Sequence, residues 1–94
     1  MDGKSNRIIV TVIGKDTVGI IAAVATVLAE ARVNIVDISQ TTLREFFTMI
    51  LMGDMEKANV SFDELKRRLN TKGEAMGLKI DAQHEDVFKF MHRI

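Results

Sequence analysis

The residues with the clearest capacity for chemistry lie in one short stretch, Gly14 to Ile20. Gly14 and Gly19 bracket Asp16 and Thr17, and both of these polar residues are common helix N-cap types. Gly14 predicts a sharp turn, and Gly19 leaves the backbone open to close approach by another molecule. A helix that starts here presents free N–H groups, which favour a carboxylate or another anion. The stretch therefore predicts a small-ligand site.

Other chemistries find little support among the residue types. The sequence has no cysteine, so disulfides, thiolate metal sites and cysteine nucleophiles are excluded. His84 and His92 have no convincing third ligand, so we expect no metal site. Ser61 has no histidine or acid placed to activate it. We therefore expect no catalytic residue, no enzymatic activity and no cofactor.

Length, composition and charge limit the class of protein further. A chain of 94 residues, nearly half of them apolar, is expected to form one globular domain. Its 13 basic and 13 acidic residues cancel, whereas a phosphate-binding protein usually has a basic excess, so we expect no nucleic-acid partner. No apolar run approaches ~20 residues, so we expect no membrane partner. The lack of cysteine fits a cytoplasmic location, and residues 1–6 are expected to be flexible.

Hydrophobic spacing predicts the elements that position the bend. Apolar runs of strand length alternate with stretches in which apolar residues recur at helical spacing. Ser61 and Glu64 form a capping pair at the start of the second helix, and Gly77 ends it. The predicted strands cover residues 7–13, 34–42, 46–52 and 78–82, and the predicted helices cover about 18–31, 61–77 and 85–94.

The element order predicts an α+β sandwich, in which one four-stranded antiparallel sheet carries two helices on one face and a short C-terminal helix follows. Right-handed crossovers place strands one and three in the centre and strands two and four at the edges. Ile35 and Ile38 are three residues apart, which breaks alternation and predicts a bulge near Val36-Asp37. The central strands are apolar on both faces, so the C-terminal helix, a second subunit or both must cover the open face.

The chain resembles the ACT domain through a glycine-bracketed bend, two apolar helix positions and an Asn-Ile pair that opens strand two: Gly14-x-Asp16-x-x-Gly19-Ile20, Val24, Leu28 and Asn34-Ile35. The run 37–41 and the tail 88–94 look like those of short single-ACT proteins, a family of mostly unassigned function. The chain is also similar to the ACT halves of the glycine-cleavage transcriptional repressor. The resemblance implies a ferredoxin-like βαββαβ domain over residues 7–84 and a helical extension over 85–94.

The resemblance also implies a function, because ACT domains bind small ligands, usually amino acids, between paired domains and regulate a protein attached or nearby. It implies a regulatory module that binds an amino acid as a homodimer or tetramer and contacts a regulated protein. In serine-binding members, the ligand is held by the bend and by the Asn that opens strand two. By position these are Asp16 and Asn34, with Gly19 and Ile20 supplying backbone. The alternative is an oligomerisation module whose ligand site is vestigial.

Two positions depart from the family pattern. Amino-acid binders can have Asn at the position of Asp16, and a carboxylate there repels a ligand carboxylate and favours an ammonium. Arg32 stands where the family usually has glycine at the helix end, so a left-handed cap is expected to be strained or absent. Structural roles remain equally open for Asp16, as a helix N-cap, and for Asn34, as a turn residue that enters the strand.

The second strand predicts a dimer interface. Soluble monomers usually guard an edge strand with lysine, proline or inward charge, but residues 34–42 contain no lysine, no proline and only one charge, Asp37. Two copies paired antiparallel satisfy both edges and place Ile35, Ile38 and Gln40 at the interface. The apolar outer face adds a second contact in a tetramer. The competing expectation is a monomer in which the C-terminal helix covers that face.

Overall fold

The computed structural model describes residues 6–91, in which four strands form one antiparallel sheet and two helices pack on one face of it. Two parts of the sequence predictions lie outside the described residues. They are residues 1–5 of the stretch expected to be flexible, and residues 92–94, including His92, at the end of the predicted C-terminal helix. The elements are β1 (Arg7–Lys15), α1 (Ile20–Glu30), β2 (Asn34–Leu43), β3 (Phe46–Asp54), α2 (Phe62–Met76), β4 (Lys79–His84) and α3 (Glu85–Met91).

The strand order is β2-β3-β1-β4, so β1 and β3 are central and β2 and β4 are edges, as the sequence predicts. All three pairings are antiparallel. The register between β2 and β3 shifts between Ile35 and Asp37. This shift confirms the predicted bulge and turns both Ile35 and Ile38 toward the helical face.

The core lies between the sheet and the two longer helices. Alternate residues of β3 are buried, and Ile8, Val10 and Val12 of β1 face the same core, because side chains one residue apart on a strand point to opposite faces. Helical residues one turn apart meet them from the other side. The largest fully buried side chains are Ile8, Val10, Val12, Val24, Leu28, Met49, Leu51, Leu65 and Leu69.

Two expectations about the bend are wrong. β1 continues through Gly14 and Lys15, so Gly14 lies inside the strand and does not make the sharp turn. A Cβ at Gly14 would lie 2.6 Å from Leu78 Cδ2, so a larger residue here would require the Leu78 side chain to move. The N-cap of α1 is Gly19, with φ 91°, and not Asp16 or Thr17.

The C-terminal end of α1 is left-handed at Arg32, whose φ is 60°. Arg32 N–H donates to Ala29 O at 3.0 Å, and Val33 N–H donates to Leu28 O at 2.9 Å. These two bonds form a Schellman motif with Arg32 at the position that glycine usually occupies. The left-handed cap is thus present and strained, since a Cβ disfavours this conformation.

α2 has the termini that the sequence predicts. Ser61 is the N-cap, and its Oγ accepts a hydrogen bond from Glu64 N–H at 3.1 Å. The Glu64 carboxylate accepts hydrogen bonds from Arg67 and Arg68, which lower its pKa to about 2. Gly77 ends the helix in a left-handed cap with φ 70°.

α3 covers only part of the outer sheet face. It packs against β1 and β4, and Ile9 on that face is 5% exposed. Toward the other end of the sheet, exposed apolar side chains remain on β1, β2 and β3. They are Ile13, Leu43, Phe46 and Ile50.

Candidate ligand site

The bend between β1 and α1 is held against the turn that joins β2 to β3. Asp16 N–H donates to Glu45 O at 2.7 Å, so the bend has a fixed position relative to the end of β2. A cleft of about 240 Å³ opens beside it. The residues that line this bend cleft are Asp16, Thr17, Gly19, Ile20, Ile21, Ala22 and Phe47.

The first turn of α1 supplies hydrogen-bond donors to the bend cleft. The first intrahelical bond runs from Ala23 N–H to Gly19 O at 2.9 Å. The N–H groups of Ile20, Ile21 and Ala22 precede it and have no acceptor within the helix. Gly19 has no side chain to cap them, and a Cβ built there meets no heavy atom within 4 Å. A small acceptor group can therefore approach this backbone closely.

Asp16 gives the bend cleft its charge. It is the one charged side chain in the lining, it is exposed, and the cap position belongs to Gly19. Within residues 6–91, the ion pairs join Arg7 to Glu85 and Glu64 to two arginines, so none engages Asp16. The cleft thus combines a carboxylate with N–H donors, which suits a ligand that has both an ammonium and an acceptor group.

Asn34 lies at the opposite end of the sheet from Asp16. Asn34 and Arg7 both pair with Asp54, whereas Lys15, next to Asp16, pairs with Phe46. Eight residue steps along β1 separate these two levels, a span of about 26 Å. One protomer therefore does not bring Asn34 to the bend.

Asn34 lines a second, larger cleft of about 650 Å³, which we call the charged cleft. Sequence reasoning identified Asn34 and Arg32 but missed Asp54, Glu56 and Lys57, because these charged residues lie at the end of β3 and in the loop after it, distant in sequence. Only their polar composition marked this loop. The charged cleft is lined by Ala29, Arg32, Val33, Asn34, Asp54, Glu56 and Lys57.

The helices do not cover β2. All ten of its residues are exposed, although Ile35 and Ile38 face the helical side of the sheet. Gln40 shares that side, since it is opposite the buried Met49. The expected interface residues therefore form an exposed, partly apolar edge.

Comparison with known proteins identifies the family. Residues 6–83 match the family model described as the ACT domain. The chain belongs to the ACT domain family. A UPF0237 protein of Methanosarcina acetivorans is 48% identical over 90 residues, which are 96% of this chain and 98% of that protein. This ACT domain thus has relatives of almost the same length.

Solved structures agree with the ACT fold. An ACT domain protein from Streptococcus pneumoniae is 37% identical, with a TM-score of 0.77 over 88% of this chain and 93% of that one. A putative glycine cleavage system transcriptional repressor is 21% identical, with a TM-score of 0.73 over 82% of this chain and 44% of that one. At 21% identity, the second likeness shows the fold alone.

ACT domains are regulatory, ligand-binding and non-catalytic modules. Within residues 6–91, no three of the His, Cys, Asp or Glu side chains are grouped as a metal ion requires. His84 packs against Phe62, with the ring centroids 4.2 Å apart. None of the helices in the described part of the chain has the length and apolar character needed to cross a membrane.

Proposed function

We propose that this ACT domain is a regulatory module that binds a free amino acid at a site shared by two protomers. One protomer supplies the bend cleft, with Asp16, Gly19 and Ile20. The other supplies Asn34. In this proposal, ligand binding changes the stability or geometry of the homodimer, and a regulated protein partner responds to that change.

The observation that carries the proposal is the separation of Asn34 from the bend. Asn34 opens β2, and Leu43 closes it beside the turn that holds Asp16. If two β2 strands pair antiparallel with their centres near Ser39, Asn34 of one copy lies opposite Leu43 of the other. Each end of the paired strands then brings a bend and an Asn34 from different protomers together.

The exposed edge of β2 supports this pairing. An unpaired edge strand presents a row of N–H and C=O groups that a second copy can satisfy. Ile35 is 38% exposed and Ile38 is 42% exposed, and pairing buries part of this apolar surface. Asp37, the only charge in β2, lies on the other sheet face, because its register partner Met52 does.

A free amino acid fits the charges of the bend. The Asp16 carboxylate attracts an ammonium, and the N–H groups at the start of α1 donate to a polar acceptor. The apolar lining, which includes Ile20, Ile21 and Phe47, accepts a small side chain.

A melting screen against the twenty common amino acids tests binding. A ligand that binds only the folded state raises stability by RT ln(1 + [L]/Kd), about 2.7 kcal/mol at a hundredfold excess over Kd. We expect at least one amino acid to raise the melting temperature and the rise to grow with concentration. Unchanged melting with all twenty would favour the alternative, an oligomerisation module with a vestigial site.

Light scattering at micromolar concentration tests the interface. The expected mass is a multiple of the 10.5 kDa protomer, and a mass near 10.5 kDa would end the dimer hypothesis. Ile38→Lys and Ser39→Pro should both release monomers, because one adds charge to the edge and the other removes a backbone donor. Lys79→Gln on the opposite edge strand is the control and should keep the wild-type mass. A dimer that survives both β2 variants would place the interface elsewhere.

A further inference from the structure

The bend cleft lacks a cation for a ligand carboxylate. Its lining contains one charged side chain, Asp16, which is negative. The N–H groups of α1 attract a carboxylate, but the neighbouring Asp16 charge opposes it. An amino acid whose ammonium pairs with Asp16 therefore needs a positive group from outside the bend cleft.

The charged cleft contains a candidate for this group. Arg32 lines it together with Asn34, which lies only two residues away. Both residues lie where the turn after α1 leads into β2. A contact that brings Asn34 to the bend of a partner therefore also brings Arg32 within reach of that bend. A guanidinium binds a carboxylate through two parallel hydrogen bonds, which a single amide cannot do.

The surroundings leave the Arg32 guanidinium available. Asp54 and Glu56 line the same cleft, yet none of the ion pairs within residues 6–91 joins either of them to Arg32. Asp54 Oδ1 accepts a hydrogen bond from Glu56 N–H at 2.9 Å, so this carboxylate is partly engaged by its own loop.

The backbone of Arg32 does not account for an arginine at this position. Its φ is 60° at the C-terminal end of α1, where glycine would relieve the strain. Its long, positively charged side chain is exposed and lines the charged cleft. A role for the guanidinium accounts for an arginine where the local geometry favours glycine.

We propose that Arg32 of one protomer binds the carboxylate of the amino acid whose ammonium pairs with Asp16 of the other protomer. Arg32 is thereby the residue that selects free amino acids over their α-carboxamides. The inference rests on the shared site proposed above and adds its charge selectivity. Asn34 donates to the same carboxylate or to the ligand backbone.

Two other cations are rivals. Lys57 also lines the charged cleft, but it lies in the loop after β3. Asp54 is the residue that pairs with Asn34, so Lys57 is farther along the chain from the β2 edge. Arg44 occupies the β2–β3 turn, which is next to the bend, and it too is left-handed, with φ 57°. The Arg44→Gly variant therefore tests whether Arg44 is the cation that binds the carboxylate. It is also a matched control for the relief of backbone strain in Arg32→Gly.

The experiment compares each stabilising amino acid with its α-carboxamide, which has nearly the same shape but no negative charge. Calorimetric titration at about pH 6.5 keeps the ammonium of both compounds protonated. We expect the wild type to bind the acid at least about tenfold more tightly than the amide, because a charge-assisted pair is lost with the amide.

Arg32→Gly should abolish this preference by weakening acid binding about tenfold while amide binding stays unchanged. Arg32→Lys keeps the charge and should retain part of the preference. Arg44→Gly and Lys79→Gln should retain all of it. The variants should fold, since glycine suits both left-handed positions.

Failure of the inference differs from failure of the proposed function. If Arg32→Gly keeps the acid preference, or if the wild type has none, Arg32 does not bind the carboxylate although amino-acid binding stands. Loss of the preference in Arg44→Gly alone would assign the cation to Arg44 and overturn the inference. If no acid or amide binds the wild type, the proposed function fails and the inference fails with it.

Discussion

At the scale of single residues, Gly19 and Gly77 make a matched pair. They are the glycines with positive φ within residues 6–91, and a Cβ on either meets no heavy atom within 4 Å. They differ in position, because Gly19 lines the bend cleft and Gly77 ends α2. The pair separates the cost of backbone strain from an effect on ligand binding.

Gly19→Asp is expected to abolish the amino-acid response, since it adds bulk and a negative charge where the ligand approaches the N–H groups. Gly77→Asp should keep the response. Both variants should lose about 1 kcal/mol of stability, because a Cβ disfavours the left-handed conformation. Melting curves with and without the stabilising amino acid check both statements. An unchanged response in Gly19→Asp would show that the bend is not the site.

Gly73 shows how tertiary packing overrides helix propensity. It is buried inside α2, where alanine is intrinsically favoured by about 1 kcal/mol. A Cβ there would lie 2.8 Å from Leu78 O and 3.0 Å from Ile80 Cγ1. We expect Gly73→Ala to lower the free energy of unfolding by about 1–3 kcal/mol, because a backbone carbonyl cannot move aside. Thr71→Ala, on the exposed side of the same helix, is the control for denaturant unfolding and should be neutral or slightly stabilising.

At the scale of elements, residues close in sequence determine where α2 begins, whereas contacts with distant residues determine where α1 begins. Ser61 caps α2 as the sequence predicts, whereas α1 begins at a glycine without a side-chain cap. The reason is that β1 runs on to Lys15 and the Asp16 N–H bonds to Glu45 O across the sheet. A contact between distant residues thus decides where α1 begins.

The Glu64 carboxylate makes the stability of the protein depend on pH. Hydrogen bonds from Arg67 and Arg68 lower its pKa to about 2 from 4.5, so its stabilising effect is complete above pH 4.5 and is lost as pH falls toward 2. We expect the melting temperature of Glu64→Gln to fall less than that of the wild type over this range. Glu74→Gln on the same helix is the control and should follow the wild type. Parallel curves for Glu64→Gln and the wild type would contradict this role of Glu64.

At the scale of the whole molecule, the outer sheet face remains partly open. Phe46 is 50% exposed and Ile50 is 43% exposed, because α3 packs toward the other end of β1. The two surfaces proposed for contact between copies are therefore separate: the β2 edge and this apolar face.

We expect the wild type to assemble beyond a dimer as protein concentration rises, through contact between two outer faces. Ile50→Lys should remain a dimer, because a buried ammonium at that contact is costly. Sedimentation at several concentrations measures both masses. Lys79→Gln is a control that should assemble like the wild type. Equal assembly of Ile50→Lys and the wild type would exclude this face as the contact.

Local patterns in the sequence predicted every element in its correct order, the positions of the edge strands and the bulge between Ile35 and Asp37. Each of these depends on alternation, on helical spacing or on crossover handedness, which act over short stretches of chain. The cap at Ser61 and the helix end at Gly77 were predictable for the same reason, since each bonds within a few residues.

Only the tertiary structure decided what depends on contact between distant residues. It placed Gly14 inside β1 against Leu78, and it extended β1 past the predicted turn. It also put Asn34 in a charged cleft at the opposite end of the sheet from Asp16. A motif specifies which residue types are present, whereas strand register and direction determine the end of the sheet at which each of them lies.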